Sequence, residues 1–267
     1  MPDRFQRRQQ ERPNAWLRIA GLTYAMSGFL IALVGFLYTI PFLLNLKVAG
    51  TLLVSPSIDL GPPVSPGTAV LVDSCLIAAF GLQHSLMARD GFKRWFAAHA
   101  PAELTRATFV HASSLALWAL LLLWQPLPFV LVDLSAGSGV LTGLNLLAWS
   151  IVLIGALNVD LLQLWGVRQA WAWCRGKTYE RPTFEARWLY GWLRHPIYSG
   201  LLIVFWATPR LTVGHLLFAA GMTTYILIGR RFEERDLLRQ YGDAYRHYQH
   251  SVPAFVPRLR SPRALIC

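Results

Sequence analysis

The stretch WLRHPIYSGLLIVFW, residues 192–206, sets Arg194, His195 and Pro196 directly before an uninterrupted apolar run. A hydrocarbon interior penalises charge and unpaired backbone polar groups, so such a trio marks the mouth of a membrane segment and not its middle. Pro196 has no N–H and a fixed φ, which suits the first turn of a helix. His195, the residue before it, is pushed towards an extended backbone. Arg194 and His195 are thereby held at a helix N-terminus, where free N–H groups and the dipole favour an anion. A ligand carboxylate or phosphate at the membrane surface fits that place.

The rest of the chain has the composition of such a setting. Its 267 residues are 54% hydrophobic and 15% charged, with a mean hydropathy of +0.39, whereas an ordinary soluble domain carries about 25% charged residues. Apolar runs recur at 16–45, 67–88, 107–132, 138–165, 198–208 and 211–229. Most are long enough for all or most of a ~30 Å hydrocarbon core. The fifth is short, and ATPRLT separates it from the sixth. The pattern predicts an all-α polytopic membrane protein of four transmembrane helices plus a C-terminal helical hairpin with a shortened first arm, five to six membrane segments in all.

The net charge of +11 is distributed by loop. Arg4, Arg7, Arg8, Arg12 and Arg18 precede the first segment, and Arg89, Lys93, Arg94 and Arg106 lie between the second and third. Arg168, Arg175, Lys177, Arg181, Arg187 and Arg194 lie between the fourth and fifth, and the tail is basic again. The alternate loops hold only Lys47 and Arg210. This positive-inside pattern predicts cytoplasmic termini in a multi-pass protein of the bacterial inner membrane. No nucleic-acid-binding module accompanies the basic residues, so nucleic acid is not the partner; membrane lipids are. The first apolar segment exceeds the core of a cleavable signal peptide. Cys75, Cys174 and Cys267 are scattered without CxxC spacing, so neither a disulfide framework nor a metal site is indicated. The terminal ALIC is no prenylation box, because its Cys is last. With no internal repeat, the chain reads as one membrane-embedded domain, 1–267. It has a basic N-terminal segment (1–15), a cytoplasmic loop (166–196) and a cytoplasmic C-terminal helix and tail (230–267).

Once oriented, the polar residues of the apolar segments gather at one depth. Gln83 and His84 close the second segment and His111 opens the third. Asn158, Asp160, Gln163, Arg168 and Gln169 end the fourth. Arg194 and His195 open the fifth, and Arg230, Arg231, Glu233 and Glu234 leave the sixth. The outer half holds few: Asp73, Asn145 and His215. Polar groups at membrane depth are functional hypotheses by default. His111 reads as a packed interfacial histidine, and the tryptophans as an interfacial belt. Arg230 and Glu234 stand at i,i+4 on one helix face.

RHPIYSG resembles the RHPxYxG signature of the integral-membrane methyltransferases that include isoprenylcysteine carboxyl and phospholipid methyltransferases. The second half of that signature is matched by EERDLLRQYGDAYRHYQHSVP, residues 233–253. A closer resemblance, from about residue 20 to 258, is to the methanethiol S-methyltransferase family. GLQHSLMARDGFKRWF, LWGVRQAW and FWATPRLTVGHLLFAAGMTTYILIGRRFEERDL carry it. Ser199 and Arg210 depart from the pattern.

The resemblance implies an S-adenosylmethionine-dependent thiol methyltransferase that converts methanethiol to dimethyl sulfide. It implies a pocket built from Arg194, His195, Pro196, Tyr198, Gly200, Glu233 and Glu234, with Arg230 beside it; Gln163, Arg168 and Tyr190 are expected to complete the cofactor pocket. Their place at the cytoplasmic ends of the second and fourth segments makes Gln83, His84 and Asp160 the expected substrate pocket, and the need to ionise a thiol gives His84, Arg230 and Glu234 the expected catalytic parts. An alkyl thiol is as weak an acid as Cys or weaker, with pKa near 8.5, so the site needs a base or a cationic, water-poor environment. No polar substrate-recognition domain is present, which suits a small apolar thiol, and no obligatory protein partner is indicated. Other acceptors of the same superfamily form the alternative. A carrier would instead place polar residues at mid-membrane in repeated halves, which this chain lacks.

Overall fold

The structure is a computed structural model and describes residues 14–180 and 185–257. Arg4, Arg7, Arg8, Arg12, Arg181, the basic tail after 257 and Cys267 lie outside the described residues. The chain is helical almost throughout. The long helices are α1 (Ala15–Leu44), α2 (Pro66–Met87), α4 (Thr105–Leu123), α5 (Ser138–Asn158) and α9 (Val213–Tyr241). Shorter ones are α3 (Asp90–His99), α6 (Leu161–Leu164), α7 (Val167–Cys174), α8 (Pro196–Trp206) and α10 (Asp243–Ser251). Four helices, Ala15–Leu44, Pro66–Met87, Ala102–Leu123 and Ser135–Asn158, are long and apolar enough to cross a membrane. The chain is a multi-pass membrane protein.

Local chemistry sets the ends. Asn14 caps α1 by accepting from the Leu17 N–H at 3.0 Å. Ser65 caps α2, with Pro66 in its first turn. The third apolar run, expected over 107–132, stops being helical at Leu123. Pro126 and Pro128 follow, and proline can neither donate to the preceding turn nor fit against it. The fourth run, expected to 165, breaks after Asn158 because Asp160 adopts a left-handed φ of 65°. It then restarts as α6, which Asp160 caps through the Leu162 and Gln163 N–H groups. The sixth run continues unbroken from the membrane segment into the Glu233–Glu234 region as α9. At 1.5 Å per residue α9 spans roughly 44 Å, well beyond a hydrocarbon core, whereas α8 spans roughly 16 Å.

Helix α8 packs most closely on α5, and also on α9. Gly200 permits the first contact: a Cβ there would stand 2.6 Å from Val152 Cγ2 and 2.8 Å from the Ala148 carbonyl oxygen. The half-length α8 ends within the protein, where its last carbonyls have no helical partner. Buried Asn145 donates to the Val204 and Ala207 carbonyls at 2.9 and 3.1 Å, and buried His215 donates Nε2–H to the Phe205 carbonyl at 2.9 Å. At the same end β3 (Val130–Asp133) pairs antiparallel with β4 (Arg210–Thr212), with Asp133 opposite Arg210. The unexpected Arg210 lies 3.7 Å from Asp133 across that pair. A second hairpin, β1 (Lys47–Val48) with β2 (Thr51–Leu52), follows α1. The main core gathers Phe42, Phe80, Leu120, Trp124, Val152, Val204 and Phe218 from helices far apart in sequence.

Candidate active site

The motif that opens α8 divides between two faces. Pro196 and Gly200, four residues apart, lie on the face towards α5. Arg194, His195 and Tyr198 turn towards α9. The anion that Arg194 and His195 hold is internal, the carboxylate of Glu234. Its Oε1 accepts from Arg194 Nε and Nη2 at 3.1 and 3.0 Å, from His195 Nε2 at 2.9 Å and from Arg230 Nε at 3.2 Å. Its Oε2 accepts from Gln249 Nε2 at 3.0 Å. Arg194 also donates Nη1–H to the Gln249 and Val252 carbonyls at 2.7 and 2.6 Å. The backbone N–H groups of Arg194 and His195 reach the Pro253 and Ala254 carbonyls at 2.9 and 3.1 Å. Ser199, the other departure from the family pattern, donates to the His195 and Phe255 carbonyls, both at 3.0 Å.

One buried carboxylate, 7% exposed, therefore joins the start of α8, the middle of α9 and the segment after α10. Burial raises the Glu234 pKa, but the hydrogen bond from His195 and the Arg194 and Arg230 guanidinium groups outweigh it and hold the value down to about 2. Both of its oxygens are spent on protein donors, and Arg230 is spent with it, the guanidinium standing 5.1 Å from the Phe255 ring. This geometry gives Glu234 and Arg230 a positioning part.

Glu233 differs from its neighbour. Its side chain is 45% exposed, and it accepts one hydrogen bond, from Tyr198 Oη at 2.7 Å to Oε2. Its other oxygen accepts none among the described residues. His195 stacks on Tyr198 with centroids 5.3 Å apart. Tyr190, Tyr198 and Tyr225 all lie within electrostatic reach of Glu233. Tyr225, Gly229 and Glu233 follow one another at i,i+4,i+8 on one face of α9. A Cβ on Gly229 would meet nothing within 4 Å, so the face is open there.

His84 stands beside the same tyrosine. Its ring lies 5.7 Å from Tyr225, 5.6 Å from Phe80 and 4.7 Å from Phe109. Its Nδ1 is buried and has no hydrogen-bond partner. Gln83 Nε2 contacts Met87 Sδ at 3.0 Å and Ser113 Oγ at 3.4 Å, while its Oε1 is buried and unpartnered. A buried polar atom without a partner costs roughly 1–3 kcal/mol, and at a site that awaits a ligand it marks where the ligand's polar groups belong.

Three expected residues, Asp160, Gln163 and Arg168, form a separate group. Asp160 caps α6 and makes a salt bridge with Arg168, and neither reaches His84. Their side chains are 31% and 54% exposed. Gln163 contributes its carbonyl to Gln169 Nε2 at 3.2 Å. His111 is a packed residue, held by Ser27 and the Ala107 carbonyl and stacked on Tyr24 at 4.1 Å. The reading of the sequence misses Tyr225 and Gln249. The i,i+4,i+8 spacing of Tyr225, Gly229 and Glu233 was a usable signal for the first.

Residues 89–252 match a family described as a protein of unknown function, DUF1295. Methanethiol S-methyltransferase of Pseudomonas sp. (strain GM41(2012)) is 44% identical over 243 residues, covering 90% of this chain and 91% of that protein. Methanethiol S-methyltransferase of Mycobacterium tuberculosis (strain ATCC 25618 / H37Rv) is 40% identical over 242 residues, 90% and 97% of the two chains. Methanethiol S-methyltransferase 2 of Bradyrhizobium diazoefficiens is 40% identical over 247 residues, 92% and 93%. No solved structure matches.

Proposed function

The chain belongs to the DUF1295 family and, within it, to the methanethiol S-methyltransferases, and on that premise we propose that it methylates methanethiol to dimethyl sulfide with S-adenosylmethionine as donor. The enzyme class, a methyltransferase, follows from its relatives. The single observation that supports a donor site here is the half-exposed Glu233 carboxylate, with one oxygen free beside an open glycine face and a set of tyrosines. Those groups suit the donor. A free carboxylate oxygen accepts from hydroxyl or ammonium groups, and tyrosine faces attract a cationic sulfonium. When bound, S-adenosylmethionine supplies an electrophilic methyl group on positively charged sulfur.

Residues of this chain then have distinct parts. Tyr198 orients Glu233, and Arg194, His195, Arg230 and Glu234 fix Tyr198 by clamping α8 to α9. Pro196 and Gly200 serve the pocket by setting how α8 lies on α5. Tyr190 closes it from the segment before the motif. Gln163 and Arg168 belong to its outer rim. Phe80, Phe109 and Tyr225 keep water from the thiol, which leaves a nascent thiolate poorly solvated and reactive. His84 takes the thiol proton at Nδ1, where no protein group competes for it. Gln83 lines the same pocket, while Asp160, bound to Arg168 and capping α6, serves it only by placing the α6–α7 turn.

The whole chain forms one membrane-embedded unit. Its site opens at the cytoplasmic face of the bacterial inner membrane, both termini lie in the cytosol, and no protein partner is required. The protein purified in detergent is the material for the test: S-adenosylhomocysteine binding by calorimetry, and headspace detection of dimethyl sulfide from methanethiol and S-adenosylmethionine. Both are expected. Glu233→Gln is expected to keep the fold and weaken S-adenosylhomocysteine on the order of tenfold, the effect of one charge-assisted hydrogen bond. Absence of dimethyl sulfide from a protein that binds the nucleoside would reject the acceptor and keep the donor. Absence of binding would reject both.

A further inference from the structure

We infer that Arg106 is a further catalytic residue, a guanidinium that holds the methyl acceptor as its thiolate beside His84. The inference rests on the thiol-methyltransferase reading above and adds the cation that such chemistry requires. Arg106 lies in the first turn of α4 and is partly buried. Its Nε donates to the Leu164 carbonyl at 2.7 Å, which anchors the side chain at the close approach of the α6–α7 turn to α4. A Cβ on Gly166 would stand 2.8 Å from the Ala107 nitrogen, so that approach is backbone to backbone. The anchored guanidinium carbon lies 4.8 Å from the centroid of Phe109, the same ring that His84 meets at 4.7 Å.

The terminal nitrogens of Arg106 have no protein acceptor among the described residues. Four other arginines near this end are engaged. Arg194 and Arg230 are bound to Glu234, Arg168 is bound to Asp160, and the Arg89 guanidinium lies 3.5 Å from the Phe232 ring. A cation placed in a water-poor pocket with free N–H groups is matched by an anion that arrives with the substrate. Methanethiol supplies one only by ionising. Its S–H bond breaks, the electron pair stays on sulfur opposite the guanidinium, and the proton passes to His84 Nδ1. The groups that face Arg106 are His84 from α2, Tyr198 from α8 and Glu233 from α9.

The decisive measurement is the pH profile of kcat/KM for methanethiol in Arg106→Met, with S-adenosylhomocysteine affinity measured on the same preparation. Without the guanidinium, His84 takes the proton with no cation to hold the thiolate. Turnover at pH 7 is expected to fall on the order of 10–100-fold, to recover as pH rises towards the thiol's own pKa, and nucleoside affinity is expected to stay within about twofold of the parent. Arg106→Lys keeps the charge without the fork and is expected to fall between, which covers the case in which the Met variant does not fold. His84→Ala run in parallel separates the imidazole's titration from the guanidinium's effect. A loss that is uniform across pH, an unchanged rate, or a parallel loss of nucleoside affinity would overturn the inference. A parent enzyme that makes no dimethyl sulfide would instead reject the acceptor on which it rests.

Discussion

The two ends of the helix bundle both bury polar residues, but the residues face different things. At the end that carries β3 and β4, Asp73, Asn145 and His215 each point at a backbone group left over where a helix stops. Asp73 accepts from the Gln125 N–H at 2.9 Å, just past the end of α4, and Asn145 and His215 satisfy the last carbonyls of α8. At the opposite end the polar groups are side chains that meet side chains. Glu234 is surrounded by donors, while the half-exposed Glu233 keeps one oxygen free; buried atoms without a partner occur at both ends, His84 Nδ1 here and Asp73 Oδ2, Asn145 Oδ1 and His215 Nδ1 there. The first end repairs broken helices, as a membrane protein must wherever backbone is exposed within it. The second end is over-determined at one carboxylate and open at the next. That is the signature of a site held rigid by one set of contacts so that a neighbouring set can bind.

The difference can be broken most forcefully at Glu234. Replacing it by Gln leaves the buried Arg194 guanidinium short of its counter-charge, and loss of one partner of a buried pair costs about 3–5 kcal/mol. Glu234→Gln is therefore expected to lower the unfolding temperature in detergent and to lose activity with the fold. An unchanged melting temperature would show that the clamp is dispensable.

The same group sets a pH dependence. Its pKa in the folded protein is about 2, below the value near 4.3 of a free glutamate. Its contribution is thus complete above the unfolded value and is lost as pH falls from there towards about 2, with an upper size of roughly 3 kcal/mol. Thermal unfolding followed from pH 6 to pH 3 is expected to show a decline that Glu234→Gln largely abolishes.

His84 sharpens the contrast from the other side. His84→Ala is expected to lower turnover on the order of 10²-fold at pH 7, with partial recovery at high pH as free thiolate becomes abundant. Melting temperature and S-adenosylhomocysteine affinity should stay near those of the parent. Near-normal turnover would remove the imidazole from the chemistry.

Asn145→Ala is expected to do the opposite. It strands the buried Val204 and Ala207 carbonyls, costing about 2 kcal/mol of stability, and leaves the nucleoside affinity of the folded fraction unchanged. An effect on affinity larger than on stability would mean that the two ends are coupled through α8.

Ser199 and Arg210 looked like departures of little weight in the sequence, yet each has a partner: the His195 and Phe255 carbonyls for one, and Asp133 for the other. Apart from the His195 carbonyl one turn before Ser199, the partners lie in segments remote in the chain, so neither role was legible beforehand. Pro126 and Pro128 were legible as helix breakers in principle, but the apolar run around them continued the membrane signal, and hydropathy does not register hydrogen-bonding geometry. Arg106 disappeared into the count of loop charges for the same reason, since charge patterning records side of membrane and not direction.

By itself, the sequence determined the membrane class, the number and rough limits of the long apolar helices, the shortened hairpin arm and the set of polar residues at one depth. These follow from transfer free energies and helix-breaking residues, which act locally or additively along the chain. Which of two adjacent glutamates is buried was decided only in three dimensions. Successive residues on a helix are about 100° apart, so the rotation of α9 against α8 turns Glu234 onto Arg194 and His195 and leaves Glu233 to face Tyr198 and open space. The rotation itself is set by packing between helices, because a Gly200 that lets α8 close on α5 fixes where α8 can present its motif, and no local pattern encodes that distance.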